Sequence, residues 1–289
     1  MSFKALKEIV DKAKDSGKPF WEIVLNDEIS ESQITRAEAL DKMKKLLLAM
    51  KDADENYEGG LKSPSKLVGG DGQKISLARQ NQTMICGDFM AQVIEKAIKM
   101  GESNACMKRI VAAPTAGSCG VIPAVLITYQ KEHKIAEMKM IEALFITGGI
   151  GQVIAHRASI AGATGGCQAE IGSASAMAAG AMVYLAGGNE EAIVHGAALA
   201  LKSLLGLACD PVAGLVEVPC VKRNVIGAFN ALASADMAVA GIRSQIPPDE
   251  VIDAMRSIGD AMPSSLKETG EGGLARTPMG MRIEVELKK

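Results

Sequence analysis

The sequence predicts an all-α protein, on three observations. Apolar residues recur at three- and four-residue spacing, no run of alternating apolar and polar residues marks a strand, and Gly or Pro punctuates the joints between helical stretches. Composition points the same way: 42 Ala, 30 Gly and 16 Met lift the hydrophobic share to 48%, while aromatics stay at 3%. Small residues let helix backbones approach closely. The expected interior of this 289-residue chain is therefore a tightly stacked set of helices around a substantial core.

Taken in order, residues 2–16 and 30–56 read as helices. The second carries Ala37, Leu40, Met43, Leu47 and Met50 as one stripe of a 3.6-residue period, with Ser30 or Ser32 as the expected cap. Residues 57–75 hold five Gly and a Pro, too punctuated for regular structure, and read as a functional lid or hinge, or else a linker. A helix is expected at about 76–100. The segment APTAGSCGVIPAVL (113–126) then turns through Gly and Ser into a helix with Pro123 in its first turn, where proline is tolerated. Helices at 137–147 and 149–161 follow. A second Gly-rich turn (161–167) feeds a small-residue helix at 170–186, and Asn189 caps another at 190–205, with Glu190 and Glu191 in its first turn. Residues 209–224 form a proline-punctuated loop, with helices at 225–242 and 248–260 after it, the latter announced by Pro248, Asp249 and Glu250. The tail 269–289 is Gly-rich, then charged: a surface segment, or a loop that dips into a site. The organisation is an N-terminal helical arm (1–56), a Gly-rich loop (57–75), a helical body (76–268) and the tail (269–289), together one domain.

Charge and hydropathy exclude partners. With 32 Lys plus Arg against 34 Asp plus Glu, the chain lacks the basic excess that tracking phosphates requires, so nucleic acid is not expected. Mean hydropathy of +0.14 raises the membrane question. Residues 171–188 and 110–130 carry no charge, but the first is rich in Ala, Gly and Ser and the second is broken by Pro114, Gly117, Gly120 and Pro123, so neither reads as a span. The charged, amphipathic first residues lack the apolar core of a secretory signal. Six scattered cysteines disfavour a disulfide framework, and the reading is a cytoplasmic protein.

Several motifs carry little. GGIGQV (148–153) has the wrong glycine spacing and no preceding strand for a dinucleotide turn, and GEGGL (270–274) lacks the lysine-bearing motif that would make it a pyridoxal phosphate cradle. No GxSxG elbow is present. Only three histidines occur: His133 on a charged face, and His156 and His195 in apolar stretches that suggest the core. The cysteines are more informative. Cys167 follows two glycines, Cys209 precedes Asp-Pro, and Cys220 follows Pro219, all at loop–helix junctions where free backbone amides can bond sulfur. Their spacing is non-specific, so packing and metal binding both stay open.

The strings APTAGSCGVIPAVL, GGCQAEIGSASAMAAGA, LACDPVAGLVEVPCVKRN and ALASADMAVAG resemble the α chain of iron–sulfur-dependent L-serine dehydratase, and the resemblance runs over nearly the whole chain. It implies an all-α catalytic subunit, a lyase of amino-acid degradation and gluconeogenesis, with a [4Fe–4S] cluster and no pyridoxal phosphate. The positions matching the family's cluster ligands are Cys167, Cys209 and Cys220; Cys86, Cys106 and Cys119 match none, although Cys119 sits in the Gly/Ser turn. Three thiolates leave one iron open, and an open metal position is what separates a reactive site from a structural one. That iron would act as a Lewis acid toward the hydroxyl of L-serine, giving pyruvate and ammonia.

Further roles follow from position. Thr115, Gly117 and Ser118 precede a helix start and suit a carboxylate. Ser173 and Ser175 are placed to orient substrate or cluster. Lys222 and Arg223 follow Cys220 and suit an anionic substrate or cluster, or else a solvated helix start. The family's Ser-Ser-His-Thr motif, expected to bring a catalytic histidine, is missing, as is the cysteine that closes single-chain members, since the sequence ends Leu287-Lys288-Lys289. The expectation is a hetero-oligomer with a separate β chain. L-Cysteine desulfidase, of related pattern, and a non-catalytic helical subunit are the rival readings.

Overall fold

The computed structural model describes residues 3–289, so the first residue of the predicted opening helix, at position 2, lies outside it. Among the described residues there are thirteen α-helices and no β-strand, with one isolated parallel bridge between Cys209 and Lys267. The all-α prediction holds.

Helix α1 (Leu6–Ser16) buries Leu6, Ile9, Val10 and Ala13 and stops at Gly17, whose φ of 67° is left-handed. The next helix, α2 (Phe20–Ser32), was not anticipated. Pro19 precedes it, and Phe20, Ile23, Val24 and Leu25 are buried. Consequently α3 (Arg36–Glu55) begins later than predicted, and Ser30 and Ser32 fall in the last turn of α2 instead of capping anything. The real cap is a Thr35–Glu38 box: Glu38 N donates to Thr35 Oγ1 (3.2 Å) and Thr35 N donates to Glu38 Oε2 (2.8 Å). Thr35→Ala is expected to cost about 1 kcal/mol, readable as a lowered thermal midpoint.

The predicted helix at 76–100 is two helices, α4 (Asp71–Gln80) and α5 (Gly87–Ala105). Positive φ at Gln82 and Gly87 turns the chain between them. Helix α6 (Val121–His133) carries Pro123 in its first turn, as expected. Conversely, the two helices predicted at 137–147 and 149–161 are one, α7 (Glu137–Arg157). Gly148 and Gly149 read as a break, but a Cβ on Gly149 would lie 2.5 Å from Val24 Cγ2, so this glycine admits α2 and does not end the helix. Undivided, α7 is long and apolar enough to cross a membrane by length and composition. It is mostly buried, packed against α2 and α3 on the way to the core.

At the centre lies α9 (Ser173–Leu185), buried from Ser173 to Val183 and surrounded by α6, α7, α10 (Glu190–Lys202) and α11 (Cys220–Val239). Its alanines and Gly180 make that crowding possible: a Cβ on Gly180 would meet Ile150 Cδ1 at 2.2 Å. Asn189 caps α10 through Ala192 N (2.9 Å). Helix α11 begins five residues before the predicted 225, with Cys220 as its first residue. Helix α12 (Pro248–Ala261) starts where its signals place it, and α1 leans on α10 and α12.

The segment before α4 is pinned at both ends. The buried Glu102 carboxylate accepts from Gly69 N (3.1 Å), Asp71 N (2.9 Å), Gly72 N (3.1 Å) and Tyr57 Oη (2.5 Å). Ser63 and Ser65 donate to buried Glu217 at 2.8 and 2.5 Å, tying the loop to the segment that leads into Cys220. In the tail, Leu274 N donates to Asp210 Oδ2 (2.8 Å), so its Gly-rich start dips inward before α13 (Pro278–Leu287) runs along the surface. His195 is half-buried, with Nδ1 accepting from Ser244 N (3.2 Å). His156, expected in the core, is exposed in the last turn of α7.

Candidate active site

Cys167, Cys209 and Cys220 come from three separate junctions, and all three are buried. The short helix α8 (Gly162–Gly165) ends at Gly166, whose φ of 76° is left-handed, and Cys167 then leads into a π turn, Gln168–Gly172. Gln168 fixes that turn: its N–H donates to Leu207 O (3.0 Å), its Nε2 donates to Met255 O (3.0 Å), and its Oε1 accepts from Gly206 N (2.9 Å). Cys209 is held by its backbone, donating to Leu266 O (2.8 Å) and accepting from Glu268 N (2.7 Å). Cys220 opens α11 just after Pro219. The Ala113–Pro114 and Val218–Pro219 bonds are cis.

The three thiols act on one another electrostatically. The hydrogen bond between Cys209 and Cys167 lowers the Cys167 pKa, aided by the Arg223 guanidinium, although burial opposes both. The same bond raises Cys209, and burial adds to it. Burial, with the charge of Cys167, pushes Cys220 up to about 12. Arg223 donates to Ala208 O (2.7 Å) and Asp210 Oδ1 (2.9 Å). Burial works against its charge, but Cys167 and Asp210 outweigh that and keep its pKa raised.

The Gly/Ser turn adjoins this cluster. Thr115 Oγ1 donates to Glu170 Oε1 (2.7 Å) and lies 3.1 Å from Ser118 Oγ. A Cβ on Gly117 would meet the same Glu170 oxygen at 3.3 Å. Asn224 locks the turn to the third thiol: Nδ2 donates to Gly117 O (2.9 Å) and Cys220 O (3.0 Å), while Oδ1 accepts from Gly120 N (2.8 Å). Glu170 completes the set. Its Oε2 lies 3.9 Å from Cys209 Sγ, and burial raises its pKa against the pull of Thr115. A Cβ on Gly162 would sit 2.9 Å from Glu170 Oε2, 3.0 Å from Cys209 Sγ and 3.1 Å from Glu268 Oε2, so these three atoms converge on one glycine.

Of the residues singled out in the sequence, Cys167, Cys209, Cys220, Thr115, Gly117, Ser118 and Arg223 are brought together. Lys222 is not: its Nζ pairs with Asp71 Oδ2 (2.7 Å) at the start of α4. The Ser175 hydroxyl donates to Gly227 O (2.8 Å) and accepts from Asn230 Nδ2 (2.8 Å), which makes it a clamp between α9 and α11. Ser173 Oγ is buried with no hydrogen-bond partner among the described residues. Cys119, despite its place in the Gly/Ser turn, packs with Ala53 and Met100. Glu170, Asp210, Asn224 and Glu268 were missed. Glu170 did carry a signal, being the one acidic residue between Glu142 and Glu190.

No three His, Cys, Asp or Glu side chains among the described residues are grouped as ligands of a single metal ion. The donor chemistry fits a group that spreads its ligands over several metals: three buried sulfurs and a neighbouring guanidinium to offset thiolate charge.

Known proteins resemble the chain over nearly its whole length. Residues 15–275 match the family model described as serine dehydratase alpha chain. The chain is 44% identical over 285 residues to the probable L-serine dehydratase, alpha chain, of Bacillus subtilis (strain 168), covering 99% of this chain and 95% of that one. It is 40% identical over 284 residues to the L-serine dehydratase, alpha chain, of Peptoniphilus asaccharolyticus, covering 98% and 97%. An L-serine dehydratase of Escherichia coli (strain K12) is 42% identical over 181 residues, which are 62% of this chain and 40% of that longer protein.

Proposed function

Because this chain belongs to the serine dehydratase alpha chain family, we propose that it is the catalytic α subunit of an L-serine dehydratase, a lyase converting L-serine to pyruvate and ammonia. One observation carries the reading: three buried thiols come from separate junctions, and Glu170 links the middle one to the Thr115–Ser118 turn. Cys167, Cys209 and Cys220 would hold a [4Fe–4S] cluster, which when bound supplies Lewis-acidic iron to the departing hydroxyl.

The chain's own groups do the rest of the positioning. Thr115, Gly117 and Ser118 receive the substrate carboxylate, their turn held rigid by Asn224. Arg223 is committed to Ala208 O and Asp210, so its part is to favour the thiolate form of Cys167 instead of binding substrate. Burial of all three sulfurs keeps bulk water from them. The reaction removes the Cα proton and expels the β-hydroxyl; the enamine becomes an imine, and water releases ammonia. A base is needed for the first step. His133 lies against Tyr129, His195 Nδ1 accepts from Ser244 N, and His156 is exposed at the end of α7. We assign the base to a separate β chain, so that the working enzyme is a hetero-oligomer.

The test is iron and sulfide content together with L-serine turnover, on anaerobically purified protein with and without a co-expressed β chain. Iron should be bound in both preparations and turnover confined to the pair. Full turnover by the α chain alone overturns the two-chain reading, and an iron-free preparation that turns over L-serine overturns the cluster.

A further inference from the structure

We infer that Glu170 is the specificity-determining residue for the α-ammonium group, accepting N–H bonds from L-serine and so selecting amino acids over their α-hydroxy counterparts. This rests on the dehydratase reading above. An amino acid presents an anionic carboxylate, a leaving group and a cationic nitrogen, and only the last needs acceptors. Thr115 and Ser118 supply hydroxyls to this site, while Arg223 is committed to Ala208 O and Asp210. Among the carboxylates, Asp210 is used up, with Oδ1 on Arg223 and Oδ2 on Leu274 N.

Glu170 is not used up. Its Oε1 takes the Thr115 hydroxyl at 2.7 Å, but the contact to Oε2 is the Cys209 sulfur at 3.9 Å, long even for a thiol donor. Among the described residues no Lys or Arg pairs with it: its contacts are the Thr115 hydroxyl and the Cys209 sulfur, with Glu268 Oε2 converging on the same glycine, Gly162. A part-buried carboxylate without a cation leaves charge unsatisfied, which a bound ammonium corrects. Glu268, whose Oε2 also converges on Gly162, adds negative potential and no competing donor.

Geometry fits the substrate. One carbon separates the ammonium of an amino acid from its carboxylate. Here the open carboxylate oxygen belongs to a residue already bonded to Thr115, the head of the turn assigned to the carboxylate. The π turn that presents Glu170 is fixed by three hydrogen bonds of Gln168, two donated and one accepted, so the acceptor is preorganised.

A site built to bond a substrate N–H rejects an analogue lacking it by up to about 10⁴-fold, because its own buried group is left unpaired. The experiment compares binding of L-serine and L-glycerate, by isothermal titration, to the iron-loaded αβ enzyme and its Glu170→Gln variant. Gln keeps the size and an oxygen for Thr115 but loses the charge. Iron and sulfide content should match the parent, L-serine affinity should fall by roughly 100-fold, and L-glycerate affinity should hold or rise, so their ratio collapses. An unchanged ratio overturns the inference, and a loss confined to kcat assigns Glu170 to proton transfer instead. If Glu170→Gln fails to retain iron, the ratio is read on Glu170→Asp. Retracting the carboxylate must then weaken L-serine more than L-glycerate, and equal weakening overturns the inference. A parent enzyme that binds L-serine without turning it over condemns the dehydratase reading and leaves the ratio readable, whereas one that binds no L-serine overturns both.

Discussion

Cys209→Ala is expected to remove the iron and at least about 99% of L-serine turnover while leaving the helical fold in place. The two effects separate because the chain holds Cys209 by its backbone. Its N–H and C=O bond to Leu266 and Glu268 whatever the side chain is, so alanine keeps the clasp and loses only sulfur. The deletion is smaller than Leu→Ala, whose cost starts near roughly 2 kcal/mol, so the thermal midpoint of the metal-free protein should move little. Activity has no such buffer. Lewis-acid help to a leaving group is worth several kcal/mol, and each 1.36 kcal/mol is about tenfold in rate, so the loss is at least roughly 100-fold. Iron content, absorbance and far-ultraviolet circular dichroism read the three quantities on one sample. Normal iron in the variant would exclude Cys209 as a ligand.

Gly162→Ala is the second large effect, and it acts on shape alone. The new methyl would lie 2.9 Å from Glu170 Oε2, 3.0 Å from Cys209 Sγ and 3.1 Å from Glu268 Oε2. Those are ends of side chains, which can swing away at little cost to folding. Their displacement, however, moves groups of the proposed site, and a misplacement of about 1 Å can cost roughly 10²-fold in rate. The expected result is a fall of that order in kcat/KM with a nearly unchanged thermal midpoint. Gly180→Ala supplies the contrast within the same measurements. Its methyl would press on Ile150 inside the core, where overpacking costs about 1–3 kcal/mol, and so it should lower stability first.

Local rules made much of the fold legible. The all-α class, Pro123, the Asn189 cap and the start of α12 were each announced by nearby residues. Failures came where a local signal served a distant partner. Gly149 looked like a breaker, yet its missing Cβ makes room for Val24 more than a hundred positions away in the sequence. Thr35, not Ser30 or Ser32, caps α3, because α2 consumes those serines. The same division governs the site. The thiols and the Thr115–Ser118 turn stand out by residue type and setting. Asn224 and Glu268 do not, since what gives them meaning is a fold that brings residue 117 to 224 and 209 to 268. Lys222 shows the reverse error: adjacency to Cys220 suggested a shared role, but neighbouring positions on a helix point in different directions, and Lys222 reaches Asp71.

The clasp on Cys209 also imposes an order on biogenesis. Leu266 and Glu268 lie downstream of all three thiols, so a growing chain emits every cysteine before it emits the residues that seat the middle one. During that interval the sulfurs exist without their arrangement, open to oxidation and to stray metals. A cluster held by these thiols would therefore be assembled late, after the short stretch that seats Cys209 has arrived.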